Sequence, residues 1–200
     1  SYKFSKNPLQ IFRLTLGNGF RVVNLFTEDH ASLISAREVV IKNELNPERS
    51  YNINANYVWK LPVRSSLLSL DGSLFYTYFT NQILPDYSDP EKIIYDNLNG
   101  HAVTRGASLN VDWDFPSGWD VMAGITWIDT YKKEPNEFGI QEQTPQILAS
   151  RFSGTFSVSY TWAKPNLTLD WIGSVRGPMY MPVFPNDSRP ELSPWYSLQN

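Results

Sequence analysis

The chain's capacity for chemistry sits in two histidines and one tight group of aspartates. His30 ends the tetrapeptide "TEDH", directly after Glu28 and Asp29. An imidazole beside carboxylates is the raw material of a metal site or an acid–base pair. One histidine with adjacent acids, however, lacks the convergent ligands a zinc site needs, and a hydrated acidic loop is the reading it supports. His101 has no partner nearby in sequence. Asp112, Asp114 and Asp120 flank the turn "PSG" and suggest paired carboxylates, but their position reads as solvated groups on a rim. No G-x-S-x-G, H-E-x-x-H or P-loop pattern occurs. Cysteine is absent, which excludes disulfides and cysteine–zinc sites and leaves the redox compartment unread. Seventeen basic residues against twenty acidic ones give no argument for nucleic acid. The chain is therefore expected to carry no catalytic residue, no metal ligands and no cofactor. "NPERS" at 46–50 reads as structural: Pro47 fixes the chain, Glu48 accepts hydrogen bonds from Arg49 or a strand backbone, and the loop base docks on the next strand. The pair in "GNG", Gly17 and Gly19, reads as a bulge or a close approach within a strand.

The elements that must position these residues announce themselves by a period of two. Phe12, Leu14 and Leu16 alternate with Arg13, Thr15 and Gly17, and Tyr51, Ile53, Ala55, Tyr57 and Trp59 with Asn52, Asn54 and Asn56. The same pattern runs through Ser69–Thr80, Val103–Phe115, Trp119–Trp127, Phe152–Trp162 and Leu167–Arg176, giving seven strong strands with partial ones at each end. Connections alternate in length. Leu61–Ser65, "PSG" and "AKPN" are short, whereas 24–50, 81–101, 130–148 and 177–194 are long. In an up-and-down sheet every second link lies at the same end, so one end is flush and the other carries large loops, which are usually functional. Ala31–Leu45 is expected to form a short helix within the first long loop.

Alternation fits either a soluble antiparallel sandwich or a membrane barrel with apolar residues toward lipid and polar ones toward a lumen. Four features favour the barrel. The strands run ten to twelve residues, near the ~9–11 of a membrane strand and beyond the usual ~5–6. The polar parity is built of Ser, Thr, Asn, Asp and Gly with almost no lysine. Trp59, Trp113, Trp119, Tyr160 and Trp162 gather beside the short turns, as interfacial girdles require, with Trp127 and Tyr131 on the opposite girdle. Short turns against long loops is the outer-membrane pattern. No apolar run reaches the ~18 residues of a spanning helix. The fold class expected is all-β: an antiparallel up-and-down transmembrane β-barrel segment. A soluble β-sandwich binding module, such as an adhesin or lectin, is the alternative.

The segments "RLTLGNGFRVVNLFTED" and "NELNPERS" resemble the C-terminal barrel of TonB-dependent outer-membrane receptors. Gly17, Gly19, Phe20 and Arg21 match that family's "G-x-x-F/Y-[RK]-A-P" step, and Leu45, Pro47, Glu48 and Ser50 its "N-P-x-L-x-P-E-x-S" step. Asn24, Phe26 and Glu28 fit the acidic, aromatic loop between them, while Val22, Val23 and Asn24 stand where the family's proline is expected. "FYTYFTNQI" and "NLNGHAVTRGASLNVDW" resemble later strands, and the wording is most similar to receptors from Bacteroidetes. The resemblance implies that residues 1–200 are part of a 22-stranded barrel with a plug in its lumen, in the outer membrane of a Gram-negative bacterium. It further implies import of a scarce large ligand (siderophore iron, haem, cobalamin or a glycan) energised by the TonB complex through the plug. Since the chain opens on "SYKFSKNP" and stops on "SPWYSLQN", both mid-pattern, plug and final strands are expected to lie outside it. Leu70, Leu74, Tyr76 and Tyr78 are expected to face lipid, Ser69, Asp71, Ser73 and Thr77 the lumen, and Phe75 and Phe79 a plug or folded-in loop. Arg21, Thr80, Gln82, Arg176 and Tyr180, taken as inward residues near the long loops, are the ligand-contact candidates.

Overall fold

The structure is a computed structural model that describes residues 2–22, 38–42, 45–86, 89, 91–136, 138–182 and 188–200. Ten strands form one sheet: β1 (Tyr2–Asn7), β2 (Gln10–Arg21), β4 (Glu48–Val63), β5 (Ser66–Thr80), β8 (His101–Asp114), β9 (Trp119–Pro135), β10 (Gln141–Pro145), β11 (Phe152–Trp162), β12 (Leu167–Arg176) and β13 (Tyr196–Gln199). The order is β1-β2-β4-β5-β8-β9-β11-β12-β13, antiparallel throughout, and β10 extends the sheet beside the upper half of β9. A second sheet, within the long loops, orders β3 (Glu38–Ile41), β7 (Lys92–Asn97) and β6 (Ile83–Asp86), with β3 parallel to β7. All seven strands expected from alternation are present. Several exceed the expected length, β9 reaching 17 residues, because they continue into the loop region. Turns at 8–9, 64–65, 115–118 and 163–166 share one end of the sheet, and the long connections share the other.

Within 31–45 the described residues form strand β3, not a helix. Its run Val39, Val40, Ile41 is β-branched, which stiffens χ1 and favours a pleated backbone over a helical one. The remainder of that expectation, and the readings of His30, Glu28, Asp29, Asn24 and Phe26, lie outside the described residues.

Register sorts the side chains onto two faces. One cross-strand row reads Leu14, Ala55, Leu74, Ala107, Trp127, Phe152; the next row, on the opposite face, reads Arg13, Asn56, Ser73, Ser108, Thr126, Ser153. On the first face Leu16 is 68% exposed, Leu74 63%, Ile125 65% and Leu169 64%, values no protein core would leave. The buried apolar residues among those described are Ile83, Ile93, Leu98, Ala102 and Val103, all at the long-loop end. A sandwich would cover the apolar face with a second sheet. Here the only other sheet described has strands of four to six residues, too few to do so, and the sandwich alternative falls away.

The polar face is cross-linked. Asn56 Nδ2 donates to Asp71 Oδ1 at 2.6 Å and Ser73 Oγ at 3.0 Å, and the Thr104 and Thr130 hydroxyls meet at 2.9 Å. Phe75, which breaks the polar parity, finds its partner inside the sheet. It lies directly opposite Gly106, where a Cβ would come within 2.5 Å of the ring. An aromatic laid over a cross-strand glycine fills the gap the missing side chain leaves. The expected partner, a plug or folded loop, is not needed for it. Gly17 and Gly19 sit in unbroken β2–β4 register, so they serve close packing and not a bulge: a Cβ on Gly17 would stand 2.9 Å from Asn52 Oδ1.

The aromatic residues draw two oblique lines across the apolar face. Trp59 shares a row with Leu70 and Val111, and Trp113 is two residues nearer the short turns. Trp113 stands opposite Val121, with Trp119 two residues nearer; Trp119 stands opposite Tyr160, with Trp162 two nearer again. That drift is about 20 Å over about 19 Å of sheet width, an inclination of roughly 45° to the rows. Tyr51, Tyr76 and Trp127 trace a second line with the same slope, and eight residues separate the two lines on both β4 and β9. The lower line is packed as well as aligned: Trp113 and Phe115 have ring centroids 4.3 Å apart, Trp119 and Tyr160 4.7 Å, Tyr160 and Trp162 4.6 Å. The Trp113 indole N–H donates to Ser66 Oγ at 3.2 Å, the polar handle expected of a tryptophan at a boundary.

Candidate functional site

At the long-loop end the polar face is closed by side chains that tie the second sheet to the first. Arg21 ends β2 and stands directly opposite Glu48, the first residue of β4. Glu48 Oε2 accepts from the Ile83 amide at 3.2 Å and from Arg21 Nη2 at 3.5 Å, and Arg21 Nη2 also donates to the Ile83 carbonyl at 3.3 Å. Both backbone groups of Ile83 are thus held by one ion pair, the start of β6 is anchored to the wall, and Ile83 is 3% exposed. "NPERS" is structural as expected, with Arg21 in the role given to Arg49. Asn97 makes a parallel tie. It accepts from the Asn46 amide at 2.7 Å and donates to the carbonyls of Asn46 and Asn81 at 2.9 and 2.8 Å. Lys42 pairs with Asp96, and Lys92 with Glu38 at 3.4 Å, which fastens β3 to β7.

Replacing Glu48 with alanine strands the buried Ile83 amide, at a cost of about 1–3 kcal/mol. The expected result is a β6–β7 hairpin that becomes protease-sensitive while the strands of the main sheet stay protected. Unchanged cleavage between 81 and 100 would show that the clamp does not hold it.

The five ligand-contact candidates do not form one cluster. Arg21 is committed to the clamp, and Gln82 lies beside it. The Gln82 carbonyl accepts from Leu98 N at 2.7 Å, while its side-chain Oε1 is buried with no hydrogen-bond partner among the described residues. Such an acceptor is costly unless something supplies a donor. Thr80 faces the other way. It shares a row with Phe20, Arg49 and His101, on the parity of Leu74, Tyr76 and Tyr78, so the inward placement expected for it is corrected by unbroken period-two register. Arg176 is inward, opposite Ser153, but six strand spacings from Arg21, roughly 29 Å along the sheet. Tyr180 bridges Leu192, which with the Met181 N to Glu191 carbonyl bond at 2.8 Å holds the 177–182 segment against 191–193, and the Tyr180 carbonyl accepts from Leu148 N at 2.7 Å. Met179 N donates to Ser193 Oγ at 3.1 Å in the same arrangement.

His101 stacks on Tyr78 at 5.0 Å between centroids. Asp112, Asp114 and Asp120 do converge, their carboxylate oxygens within 4.8 Å of one another beside the 115–118 turn. Asp112 and Asp114 are exposed there, as a solvated rim group should be. Between that rim and the clamp the polar face forms a shallow trough where Asp71, Asn110 and Thr155 stand beside Met122, Ile172 and Leu198. Its wall offers hydrogen-bonding groups and apolar surface together. Glu48 and Asn97 were not singled out as a joint anchor from sequence. Their partners are 35 and 51 residues away, and no local spacing signals the contact.

A family model described as "TonB dependent receptor-like, beta-barrel" matches residues 1–195. Among curated proteins none matches. Among solved structures the chain is similar to the FrpB iron transporter from Neisseria meningitidis (F3-3 variant; TM-score 0.65, 12% identity), covering 98% of this chain and 30% of that one. It is similar to the copper transporter OprC (TM-score 0.69, 10% identity, 99% of this chain and 29% of that one). It is also similar to a chain of the FpvAI–pyocin S2 complex (TM-score 0.60, 17% identity, 98% of this chain and 24% of that one). At these identities the likeness is one of fold, and the chain spans less than a third of the length of each neighbour.

Proposed function

Because the chain belongs to the TonB-dependent receptor β-barrel family, whose members stand in the outer membrane of Gram-negative bacteria, we propose that it forms part of the wall of an active-transport receptor. The full-length protein imports a scarce large ligand: siderophore-bound iron, haem, cobalamin or a glycan. Energy reaches it from the TonB complex through a plug in the lumen. Residues 1–200 are part of the C-terminal barrel domain of that protein, and the Bacteroidetes-like wording of its motifs gives the expected source. The wall supplies binding and passage, and we assign it no catalytic role.

The observation that carries this reading is the separation of faces. Through the long strands most exposed aliphatic and aromatic side chains lie on one side and small polar ones on the other, with Met122, Ile172 and Leu198 as exceptions on the polar face. A water-soluble sheet would hide the first face, and lipid is the solvent that leaves it exposed without cost. The two aromatic lines support the same reading. With strands inclined ~45° they bound a band about 20 Å tall between Cα positions, to which the rings add, close to the ~25 Å apolar band of outer-membrane barrels. Gln82, whose side-chain acceptor has no partner among the described residues, and Arg176 are the wall residues we assign to ligand contact; Arg21 acts by holding the loop hairpin.

Uptake decides the matter. Cells expressing the full-length protein are given labelled ferric siderophore, haemin, cobalamin or oligosaccharide, with and without a protonophore. Accumulation of one ligand that stops when the proton gradient is collapsed is expected. Accumulation that ignores the gradient, or a full-length protein that fractionates without detergent as a soluble species, would overturn the reading.

A further inference from the structure

Resting on the receptor reading for its location, we propose that β10 docks an extended segment of a second protein outside the cell by strand addition, taking a basic side chain opposite Glu142 and an apolar one opposite Ile140. The edge is open for a topological reason. β11 pairs with β9 as far as Phe152, opposite Trp127. Above it β10 takes over as the partner of β9, from Pro145 opposite Tyr131 to Gln141 opposite Pro135. β12, which covers the far side of β11, ends at Arg176. The segment after it reaches this region at Leu148, whose N–H donates to the Tyr180 carbonyl. Among the described residues no strand pairs with the far side of β10.

The ladder fixes which backbone groups are left over. Asn136 N donates to Ile140 O at 2.9 Å, and Gln146 N to Thr130 O at 3.1 Å. Hydrogen-bonded positions alternate along an antiparallel pair, so Glu142 and Thr144 turn their backbone groups to β9. Gln141 and Gln143 turn theirs outward, an N–H and a C=O each. None of these four groups has a backbone partner among the described residues. Gln141, Glu142 and Gln143 are exposed. Native edges are commonly blunted by lysine or proline. Here Pro145 stops the ladder at its lower end, and the run Gln141, Glu142, Gln143 leaves the rest open.

The side chains select the occupant. Glu142 stands directly opposite Glu134, a like-charge pair that costs stability. Lys132 pairs with Glu134 at 2.7 Å, which leaves Glu142 without a base among the described residues. An added strand sets one residue beside Glu142 and, two further on and on the same face, another beside Ile140. A base at the first neutralises the spare carboxylate. An apolar residue at the second covers Ile140, which is 65% exposed next to Phe138 at 85%. The hairpin tip is already held, since Asn136 Oδ1 accepts from the amides of Phe138 and Ile140 at 3.0 Å each, so little ordering is left for binding to do. A second copy is the poorer occupant: the pairing that uses all four glutamine groups is centred on Glu142 and sets two carboxylates face to face. Lipid is out of reach. Gln143 is opposite Lys133, six residues above Trp127 of the upper aromatic line. That is about 20 Å along the strand and about 14 Å in height at an inclination of ~45°, whereas headgroups extend about 5–8 Å beyond the hydrocarbon.

The test uses the full-length receptor in detergent and fluorescence anisotropy. The probe is a fluorescein-labelled peptide, Thr-Val-Thr-Lys-Thr-Ile-Thr-Val-Thr. Saturable binding is expected, with slowed hydrogen exchange at the Gln141 and Gln143 amides. The same peptide N-methylated on the threonines either side of lysine should not bind. Gln143→Pro deletes one outward N–H and spares the β9 ladder; it should weaken binding about fivefold. Glu142→Lys should weaken the lysine peptide about fivefold and favour a peptide with glutamate in place of lysine, a reversal that a misfolded edge would not give. Should that variant fail to show heat-modifiable gel migration, Glu142→Gln carries the charge test, with about a twofold loss. Equal binding of the methylated peptide, indifference to Gln143→Pro, self-association through this edge, or Gln141 and Gln143 amides already protected in the free receptor would overturn the proposal. A receptor that inserts in the membrane but fails these tests loses only this site. One that stays soluble without detergent loses the receptor reading as well.

Discussion

Arginine in place of Leu74 in the full-length protein should arrest assembly of the barrel. Leu74 lies between the two aromatic lines with 63% of its surface uncovered, and its row neighbours Ala55 and Ala107 are too small to shelter a charge. A guanidinium at this depth costs about 2–4 kcal/mol at the midplane, declining toward the interface. Against a total stability of ~5–15 kcal/mol that is a large share. The measurement is heat-modifiable gel migration and a urea midpoint after refolding into detergent or vesicles. Thr155→Arg is the matched control. Thr155 is exposed on the polar face, in the row of Asp71, Asn110 and Gly124, where a charge meets water or polar groups. Loss for Leu74→Arg with assembly retained for Thr155→Arg is the expected pair. Normal assembly of both would mean that the apolar face does not meet lipid.

Gly106→Val is the second change with a large expected effect, and its cause is steric. A Cβ at Gly106 would stand 2.3 Å from the Trp127 carbonyl oxygen and 2.5 Å from Phe75 Cζ. The ring can turn aside, but the carbonyl belongs to the neighbouring strand and moves only if β8 and β9 part. Overpacking of this kind costs about 1–3 kcal/mol and more where backbone must shift. A lower urea midpoint is expected. The double variant Gly106→Val with Phe75→Leu separates the two contacts, since it relieves the ring and leaves the carbonyl. It should recover only part of the loss. Full recovery would assign the whole cost to the ring, and no loss in the single variant would remove the argument.

The main sheet is readable in the sequence because its physics is local. Alternation of Tyr51, Ile53, Ala55, Tyr57 and Trp59 with asparagines is set by the pleat alone, and short turns beside tryptophans mark one end. The second sheet has no such signal. β3 and β7 pair in parallel across some fifty residues, and β6 and β7 are only four and six residues long, with Pro85 inside β6. Ala31–Leu45 reads as helical by its mixed apolar spacing, yet three consecutive β-branched residues at 39–41 turn the described part into a strand. Thr80 shows the limit of reading by neighbourhood. Its place near a long loop suggested the lumen, while simple counting from Leu74 puts it outside. The slope of the aromatic lines is legible only once register is known, because the sequence gives positions along strands and not offsets between them. The Gln82 acceptor and the Arg21–Glu48 hold on Ile83 belong to the same class, since burial and a contact 62 residues distant leave no trace in spacing.

The strand order has a consequence in time. Every long strand of the main sheet pairs with the long strand before it and the long strand after it, with no crossover. The hairpins β1–β2, β4–β5, β8–β9 and β11–β12 each close across two to four residues. Each is a nearby-in-chain event with a small loop-closure cost. The wall can therefore be laid down one hairpin after another, each needing only the single free edge left by its predecessor. At every intermediate stage the growing sheet presents one unpaired edge at its front, ready for the next hairpin.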